Sequence, residues 1–254
     1  MAEHLSKNQI KWVRSLQQKK QRDAEGVFVA EGHKCIEELR GAFELVLMVT
    51  PDNATEVEIA QMSSLRAPQG VIGVFRREAR GERREERGER REAKGERREA
   101  KGEELVVALD GVQDPGNLGT IIRTCDWFGV HDIYCSKDTA DCYNPKVVQA
   151  TMGALARVRV HYIELGEWLQ TMCENGLPIY GTLLEGGNMY KDGAIADKNK
   201  GIIIMGSEGN GISPAIRKLI THPIRIPSYP ANAETSESLN VGIATAIVLA
   251  EFRR

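Results

Sequence analysis

The sequence predicts an α/β protein in two parts: a small α/β domain over residues 1–75 and a larger domain over residues 104–254 built on a parallel sheet. Two observations predict it. Short apolar runs alternate with segments of helical period along both parts, and strands that alternate with helices form parallel sheets covered on both faces. Between the parts the alternation stops, because residues 76–103 are four tandem copies of a charged seven-residue unit, RREARGE, RREERGE, RREAKGE and RREAKGE.

The front part opens with a basic helix. There follow GVFVA as a strand, KCIEELRG as a helix, FELVLMV as a strand, ATEVEIAQMSSL as a helix and GVIGVF as a strand. Lys7, Lys11, Arg14, Lys19, Lys20 and Arg22 precede any acid within residues 7–22. On a helix broken near Asp23, with Ile10, Val13 and Leu16 turned inward, they form a solvated face or an electrostatic footprint for phosphates. These six are the candidate RNA contacts.

The repeat has a coiled-coil period but no apolar seam, since only Ala79, Ala93, Ala100 and four glycines are uncharged. Arg–Glu pairs stabilise a helix by about 0.2–0.5 kcal/mol each, whereas each glycine costs about 1 kcal/mol relative to alanine. The two effects roughly cancel. Twelve basic residues against nine glutamates leave little net charge, so a solvated linker is the reading ahead of weak RNA contact.

The 254 residues, 41% of them hydrophobic, carry a formal charge of −2, which does not by itself announce a nucleic-acid binder. No apolar run approaches the roughly 20 residues of a membrane span. The opening MAEHLSKNQIKW lacks the apolar core of a signal peptide, so a soluble cytoplasmic protein is expected. Cys35, Cys125, Cys135, Cys142 and Cys173 are odd in number and form no CxxC, which predicts reduced packing residues and no disulfide. The five histidines form no HxxxH pair, and no metal site is expected.

In the second part LVVALDGV reads as a strand, NLGTIIRTCDWFGV as a helix, HDIYCS as a strand, and KVVQATMGAL precedes the strand RVRVHYI. ELGEWLQTMCE is a helix and LPIYGTLL a strand. GIIIMGSE, SPAIRKLI, HPIRIPS and the apolar helix SLNVGIATAIVLAEF complete the alternation. Ligands bind such sheets at the carboxyl ends of the strands.

Three of those ends carry polar residues. In LDGVQDPGNLGTIIR, Asn117 and Arg123 are six residues apart, about 600° of helical rotation, or nearly two turns. Taken alone they read as a cap and a surface arginine. In IIIMGSEGNGIS the glycines run GxxGxG, which is not the dinucleotide fingerprint GxGxxG. Glu208 there is electrostatically wrong for pyrophosphate and suits a hydroxyl, an amine or a cationic ligand. In RIPSYPANAETSESLNVGIATAIVLAE, Ser238 and Asn240 enter a helix with Leu239, Ile243, Ala246, Ile247 and Ala250 on one face, and Ser238 fits a capping position.

Together, Asn117-Leu-Gly-Thr-Ile-Ile-Arg123, Gly206-Ser-Glu208-Gly-Asn-Gly211 and Ser238-Leu239-Asn240-Val241 make residues 104–254 resemble the SpoU-type (TrmH-like) 2′-O-ribose RNA methyltransferases of the SPOUT superfamily. The front segment, with VFVAEGHKCIEE, looks like the small substrate-binding domain that many members carry. The loop from Ser228 to Glu237 is a few residues longer than is usual in the family.

The resemblance implies a parallel sheet whose C-terminal part threads a loop to make a deep trefoil knot, an exception to unknotted topology. It implies S-adenosylmethionine held by Thr182, Leu183, Leu184, Gly186, Gly206, Glu208, Gly209, Ile226, Pro227, Ser238 and Leu239, and catalysis by Asn117, Arg123, Glu208, Ser238 and Asn240 without a metal. It further implies a homodimer paired through the C-terminal helix, with rRNA or tRNA as substrate. Two other readings stand beside it. A nucleotide-binding oxidoreductase is disfavoured by the missing fingerprint, and an RNA-binding protein without activity is disfavoured by the three intact polar sets.

Overall fold

The computed structural model describes residues 4–79, 105–191, 193–230 and 238–254. The first part runs α1 (Lys7–Ser15), α2 (Lys19–Glu25), β1 (Val27–Glu31), α3 (His33–Arg40), β2 (Phe43–Val49), α4 (Glu56–Met62) and β3 (Ile72–Ala79). The second runs β4 (Leu105–Asp110), α5 (Pro115–Trp127), β5 (Asp132–Cys135), α6 (Pro145–Thr151), β6 (Arg159–Tyr162), α7 (Leu165–Glu174), β7 (Ile179–Asn188), β8 (Gly201–Gly206), α8 (Pro214–Arg217), β9 (His222–Arg225) and α9 (Val241–Phe252). These elements pack into two compact units. One holds residues 4–79 with 141–157, the other 105–140 with 158–254.

The first unit is a three-stranded sheet in the order β1-β3-β2, with β3 antiparallel to both neighbours. The parallel arrangement inferred from alternation therefore does not extend to this sheet. On one face α1 and α4 bury Val13, Leu16, Ile59 and Met62 against Val27, Val29, Val49, Ile72 and Val74. Phe28 packs against Phe43, Phe75 and Tyr143, with ring centroids 5.0, 5.6 and 4.9 Å apart. Tyr143 and α6 thus belong to this unit, although the sequence reading placed them in the 104–254 domain. β3 also runs four residues into the charged repeat, with Arg76 opposite Val27 and the Arg77 guanidinium 5.0 Å from the Tyr143 ring. Residues 76–79 of the segment assigned to the spacer therefore belong to β3, and the rest of that segment, 80–103, lies outside the described residues.

The basic N-terminal segment differs from expectation in one residue. The helix breaks at Leu16–Gln18, ahead of Asp23, and Arg22 turns inward to 1% exposure. Its guanidinium donates to the carbonyls of Leu16 and Gln17 at 3.0 and 2.9 Å, satisfying the end of α1, and to Asp141 Oδ2 at 2.7 Å. Arg22 is a packing residue and not an RNA contact. Lys7, Lys11, Arg14 and Lys20 remain exposed, and Lys19 pairs with Asp23 at 2.9 Å.

The second unit is a six-stranded sheet in the order β6-β5-β4-β8-β7-β9, parallel at every pairing. Its central strands β4 and β8 are buried throughout apart from Gly206, as continuous apolar runs require. Alternation sends Val106, Ala108, Ile202 and Ile204 to one face, where they meet Leu165 and Leu169 of α7. α5 buries Leu118, Ile121, Ile122 and Cys125. At the β6 edge, burial pushes the Asp132 carboxyl upward, but hydrogen bonds from Arg159 and His161 outweigh it and hold the group well below the usual carboxylate range. All five cysteines are free, and burial pushes the Cys35 thiol up to about 11.

Arg22→Met should lower urea-unfolding stability by about 2–4 kcal/mol, because it leaves the part-buried Asp141 without its cation and two carbonyls without their donor. Lys11→Gln, an exposed change, should stay within about 0.5 kcal/mol in the same measurement. Equal effects from the two variants would contradict the structural role of Arg22.

Candidate active site

Parallel strands all end on one edge of the sheet, so the loops after β4, β7, β8 and β9 gather there. The β4–β8 register sets Asp110 opposite Gly206. After β4 the chain turns at Gly111, whose φ of 70° suits glycine, and its N–H donates to Ser136 Oγ at 2.9 Å. Asp114 then caps α5 by accepting from the N–H of Asn117 at 2.8 Å, with Pro115 in the first turn. The cap is Asp114 and not Asn117, which leaves the Asn117 side chain available.

After β8 the chain doubles back. Ser207 and Gly211 exchange two backbone hydrogen bonds, and the N–H of Ser213 donates to Asp110 Oδ2 at 2.6 Å. A Cβ on Gly206 would lie 2.2 Å from the carbonyl carbon of Gly211 and 2.3 Å from the nitrogen of Ile212. Only glycine lets this loop close on itself, and the closure presents Glu208 at its tip.

Asn117 joins the three motifs. Its Nδ2 donates to Glu208 Oε1 at 2.5 Å, and its Oδ1 accepts from Asn240 Nδ2 at 2.8 Å. Asn240 Oδ1 in turn accepts from the N–H groups of Gly242 and Ile243 at 3.0 and 3.2 Å, capping α9. A carboxylate only accepts and a backbone N–H only donates, so both amide orientations are determined by the network. Asn240, and not Ser238, is the cap of the C-terminal helix. Ser238 is exposed and outside the helix. Each polar atom of Asn117 thus makes one bond between motifs, and no hydrogen bond joins Asn117 to Arg123 among the described residues.

The remaining residues predicted to hold a ligand line the same edge. Thr182 and Gly187 both stand opposite Ile224, so Leu183, Leu184, Glu185 and Gly186 leave the β7–β9 ladder as an excursion. A Cβ on Gly186 would meet the Ile224 backbone at 2.5 Å. Leu184 is exposed, Leu183, Ile226 and Pro227 are half-buried, and Leu239 and Gly209 are exposed. This gives a surface of backbone groups and small apolar side chains, with a carboxylate at one side. Arg123 is exposed on α5 and forms no hydrogen bond or ion pair among the described residues. Residues 231–237 of the lengthened loop lie outside the described residues.

Asp110 was not singled out from the sequence, though the signal was present as a carboxylate ending the apolar run LVVAL. Gly206→Ala should cost about 1–3 kcal/mol by forcing the 207–212 loop apart. Gly209→Ala, where nothing lies within 4 Å of the new methyl, should stay within about 0.5 kcal/mol. Thermal unfolding of both variants checks this contrast.

Residues 104–250 match the model of the SpoU rRNA Methylase family, and residues 7–58 match that of the MRM3-like substrate binding domain. The 23S rRNA (guanosine(2553)-2′-O)-methyltransferase RlmP of Bacillus subtilis (strain 168) is 33% identical over 148 residues, 58% of this chain and 57% of the relative. The 23S rRNA (guanosine-2′-O-)-methyltransferase RlmB of Neisseria meningitidis serogroup B is 32% identical over 151 residues, 59% of this chain and 58% of the relative. The chain thus spans a little over half the length of these curated relatives. A TrmH-family protein from Porphyromonas gingivalis superposes with a TM-score of 0.80 at 35% identity, covering 98% of each chain. An AdoMet-bound rRNA methyltransferase from Sinorhizobium meliloti superposes at 0.79 with 28% identity, covering 99% of this chain and 96% of that one. With more than half of its length matched by the family model, the chain belongs to the SpoU rRNA Methylase family.

Proposed function

We propose that this chain is an S-adenosylmethionine-dependent methyltransferase acting on a ribose 2′-hydroxyl of RNA, with rRNA favoured by its relatives. The observation that carries the reading is the Asn117 relay, which fixes three motif loops in one place. The residues present fit the methyl donor. Gly206 and Gly186 let neighbouring backbone close tightly at the strand ends, Thr182, Leu183, Leu184, Ile226, Pro227 and Leu239 offer small or apolar contacts, and Glu208 suits a cationic group. Gly209 and Ser238 complete the set. When bound, S-adenosylmethionine supplies an electrophilic methyl group; the chain's own residues must hold the ribose oxygen and stabilise the charge that develops on it.

Arg123 is the residue assigned to that task. A guanidinium is effectively never deprotonated in proteins, so it does not act as a base. Free of partners among the described residues, it holds the adjacent phosphate and stabilises the 2′-oxygen, while a phosphate, water or the donor's carboxylate accepts the proton. Asn117, Glu208 and Asn240 keep the loops in register, and Ser238 completes the site. This chemistry calls for no metal. Lys7, Lys11, Arg14, Lys19 and Lys20 supply RNA contacts from the first unit. The knot implied by the resemblance belongs to the same proposal, as does a cytoplasmic location; no helix among the described residues is long and apolar enough to cross a membrane.

Assembly follows from α9. It buries Val241, Thr245, Val248, Leu249 and Phe252 within the chain, yet Ile243 is 56% exposed, Ile247 half-buried and Ala250 exposed on another face. A helix apolar all round is a buried helix, and a second copy supplies the missing cover.

Arg123→Ala should abolish methyl transfer to rRNA from cells lacking the gene while leaving the melting temperature and S-adenosylmethionine affinity unchanged. Arg123→Lys should also fail, because a point charge does not reproduce the planar fork. Transfer at the wild-type rate by either variant would remove the mechanism. In light scattering the wild type should be a dimer and Ile243→Asp a monomer of reduced activity; a monomeric wild type with full activity would contradict the assembly.

A further inference from the structure

Asp110 is the last residue of β4 and the one polar side chain in that strand, after Leu105, Val106, Val107, Ala108 and Leu109. It is 9% exposed. Its Oδ2 accepts from the N–H of Ser213 at 2.6 Å, and the carboxylate pairs with no cation among the described residues. A buried carboxylate without a counter-charge is costly, and a valine or leucine would continue the apolar run of the strand more favourably. Nor is the bond needed as a helix cap, because α8 is a single short turn, Pro214–Arg217.

What the carboxylate does is hold a loop at both of its ends. Gly206, where the loop starts, is the register partner of Asp110, and Ser213, where it ends, donates to the Asp110 side chain. Between these points the loop is tied to itself. Ser207 and Gly211 exchange two backbone hydrogen bonds, and the N–H of Asn210 donates to Ser207 Oγ at 3.2 Å. The tip therefore moves as one body, and the place of Glu208 on it is set by where the two ends are held. Ile212, 5% exposed, belongs to the same apolar core as Leu165 and Leu169, which seats the loop without orienting it, because apolar contact is non-directional. A charge-assisted hydrogen bond has a direction.

We propose that Asp110 is a positioning residue for methyl transfer, which acts through Ser213 to place Glu208 where Asn117 and the methyl donor meet it. Asp110 and Asn117 belong to one stretch of chain, the end of β4 and the start of α5. That stretch grips the loop after β8 twice, at Ser213 through Asp110 and at Glu208 through Asn117. The second grip is a single amide bond, and it forms only when the first has fixed the loop's direction. The inference rests on the methyltransferase reading, in which Glu208 suits a cationic group of the donor, and adds the residue that holds Glu208 in place. Asp110 itself touches neither substrate nor donor in this scheme.

The test is a double-mutant cycle on S-adenosylmethionine affinity, measured by calorimetry for wild type, Asp110→Ala, Glu208→Ala and the pair. Each single change should weaken binding about tenfold, and the pair also about tenfold, because both remove one and the same contact. Hydrogen exchange at the amides of residues 207–213 should quicken in Asp110→Ala while β4 and β8 stay protected as in wild type. Asp110→Asn still offers an oxygen to Ser213 and should bring affinity back to within about threefold of wild type. Losses that add in the pair, wild-type affinity in Asp110→Ala, or an Asp110→Asn as weak as Asp110→Ala each overturn the proposal. Should Asp110→Ala not fold, Ser213→Pro takes its place in the cycle with the same expected outcomes. Ser213 has a φ of −61°, which proline adopts, and the change removes the N–H from which Asp110 accepts. A wild type that binds S-adenosylmethionine and methylates rRNA, beside an Asp110→Ala that binds it equally well, sinks this inference alone. A wild type that does neither sinks the functional reading as well.

Discussion

The parallel pairing of β4 with β8, with Asp110 set opposite Gly206, is the constraint on which the second unit depends. These two strands lie at the centre of the sheet and run in one direction, so the loops that follow them start side by side. The loop after β8 can then reach back, with the N–H of Ser213 on the Asp110 carboxylate, and fold tightly enough that Gly206 has no room for a side chain. A shift of one residue in that register would send the apolar side chains of β4 to the opposite faces and separate Asp110 from Ser213.

Given that register, the site is assembled by groups that satisfy one another. Asp114 caps α5, Asn240 caps α9, and Asn117 spans from Asn240 to Glu208. α5 and α9 are joined again at their other ends, where Arg253 Nε donates to the carbonyl of Phe128 at 3.0 Å. Helices tied at both ends hold their side chains in fixed directions, which is what the in-line transfer proposed above would require. Removal of one amide from such a chain leaves its neighbours partly unsatisfied, so the effects of Asn117 and Asn240 will not add.

The parts of this arrangement legible in the sequence were those set by local pattern. LVVALD and GIIIMG announce buried parallel strands, NLGTIIRTCDWFGV announces the body of α5 but not its start at Asp114-Pro115, and the apolar period of SLNVGIATAIVLAEF announces α9. The relay was not legible that way, since its members are separated by 91 and 123 residues and only the resemblance brought them together. The first unit shows the opposite failure. A run of six basic residues reads as a solvated face, yet Arg22 leaves it because the break between α1 and α2 exposes two carbonyls that need a donor, and because Asp141 arrives from a distant segment. α6 likewise reads as one more element of the second domain, and packing assigns it to the first, with Tyr143 just before it against Phe28 and the Cys35 thiol against the Val148 carbonyl.

Arg123 stands apart from this economy of satisfied groups. Every other charged or amide side chain assigned to the catalytic set is bonded within the protein, while the guanidinium on α5 is exposed and has no partner among the described residues. A solvated arginine is unremarkable on a surface, but here it projects from a helix whose first turn is locked into the relay and whose last turn is held by Arg253. Its direction is therefore set by the frame while its bonding capacity remains open. Because a guanidinium keeps its charge at any pH a protein tolerates, that open capacity is for an anion and not for a proton. The fold commits its neutral amides to structure and leaves this permanent charge open, and on the function proposed above the recognition of phosphate and the stabilisation of the ribose oxygen would fall to one side chain.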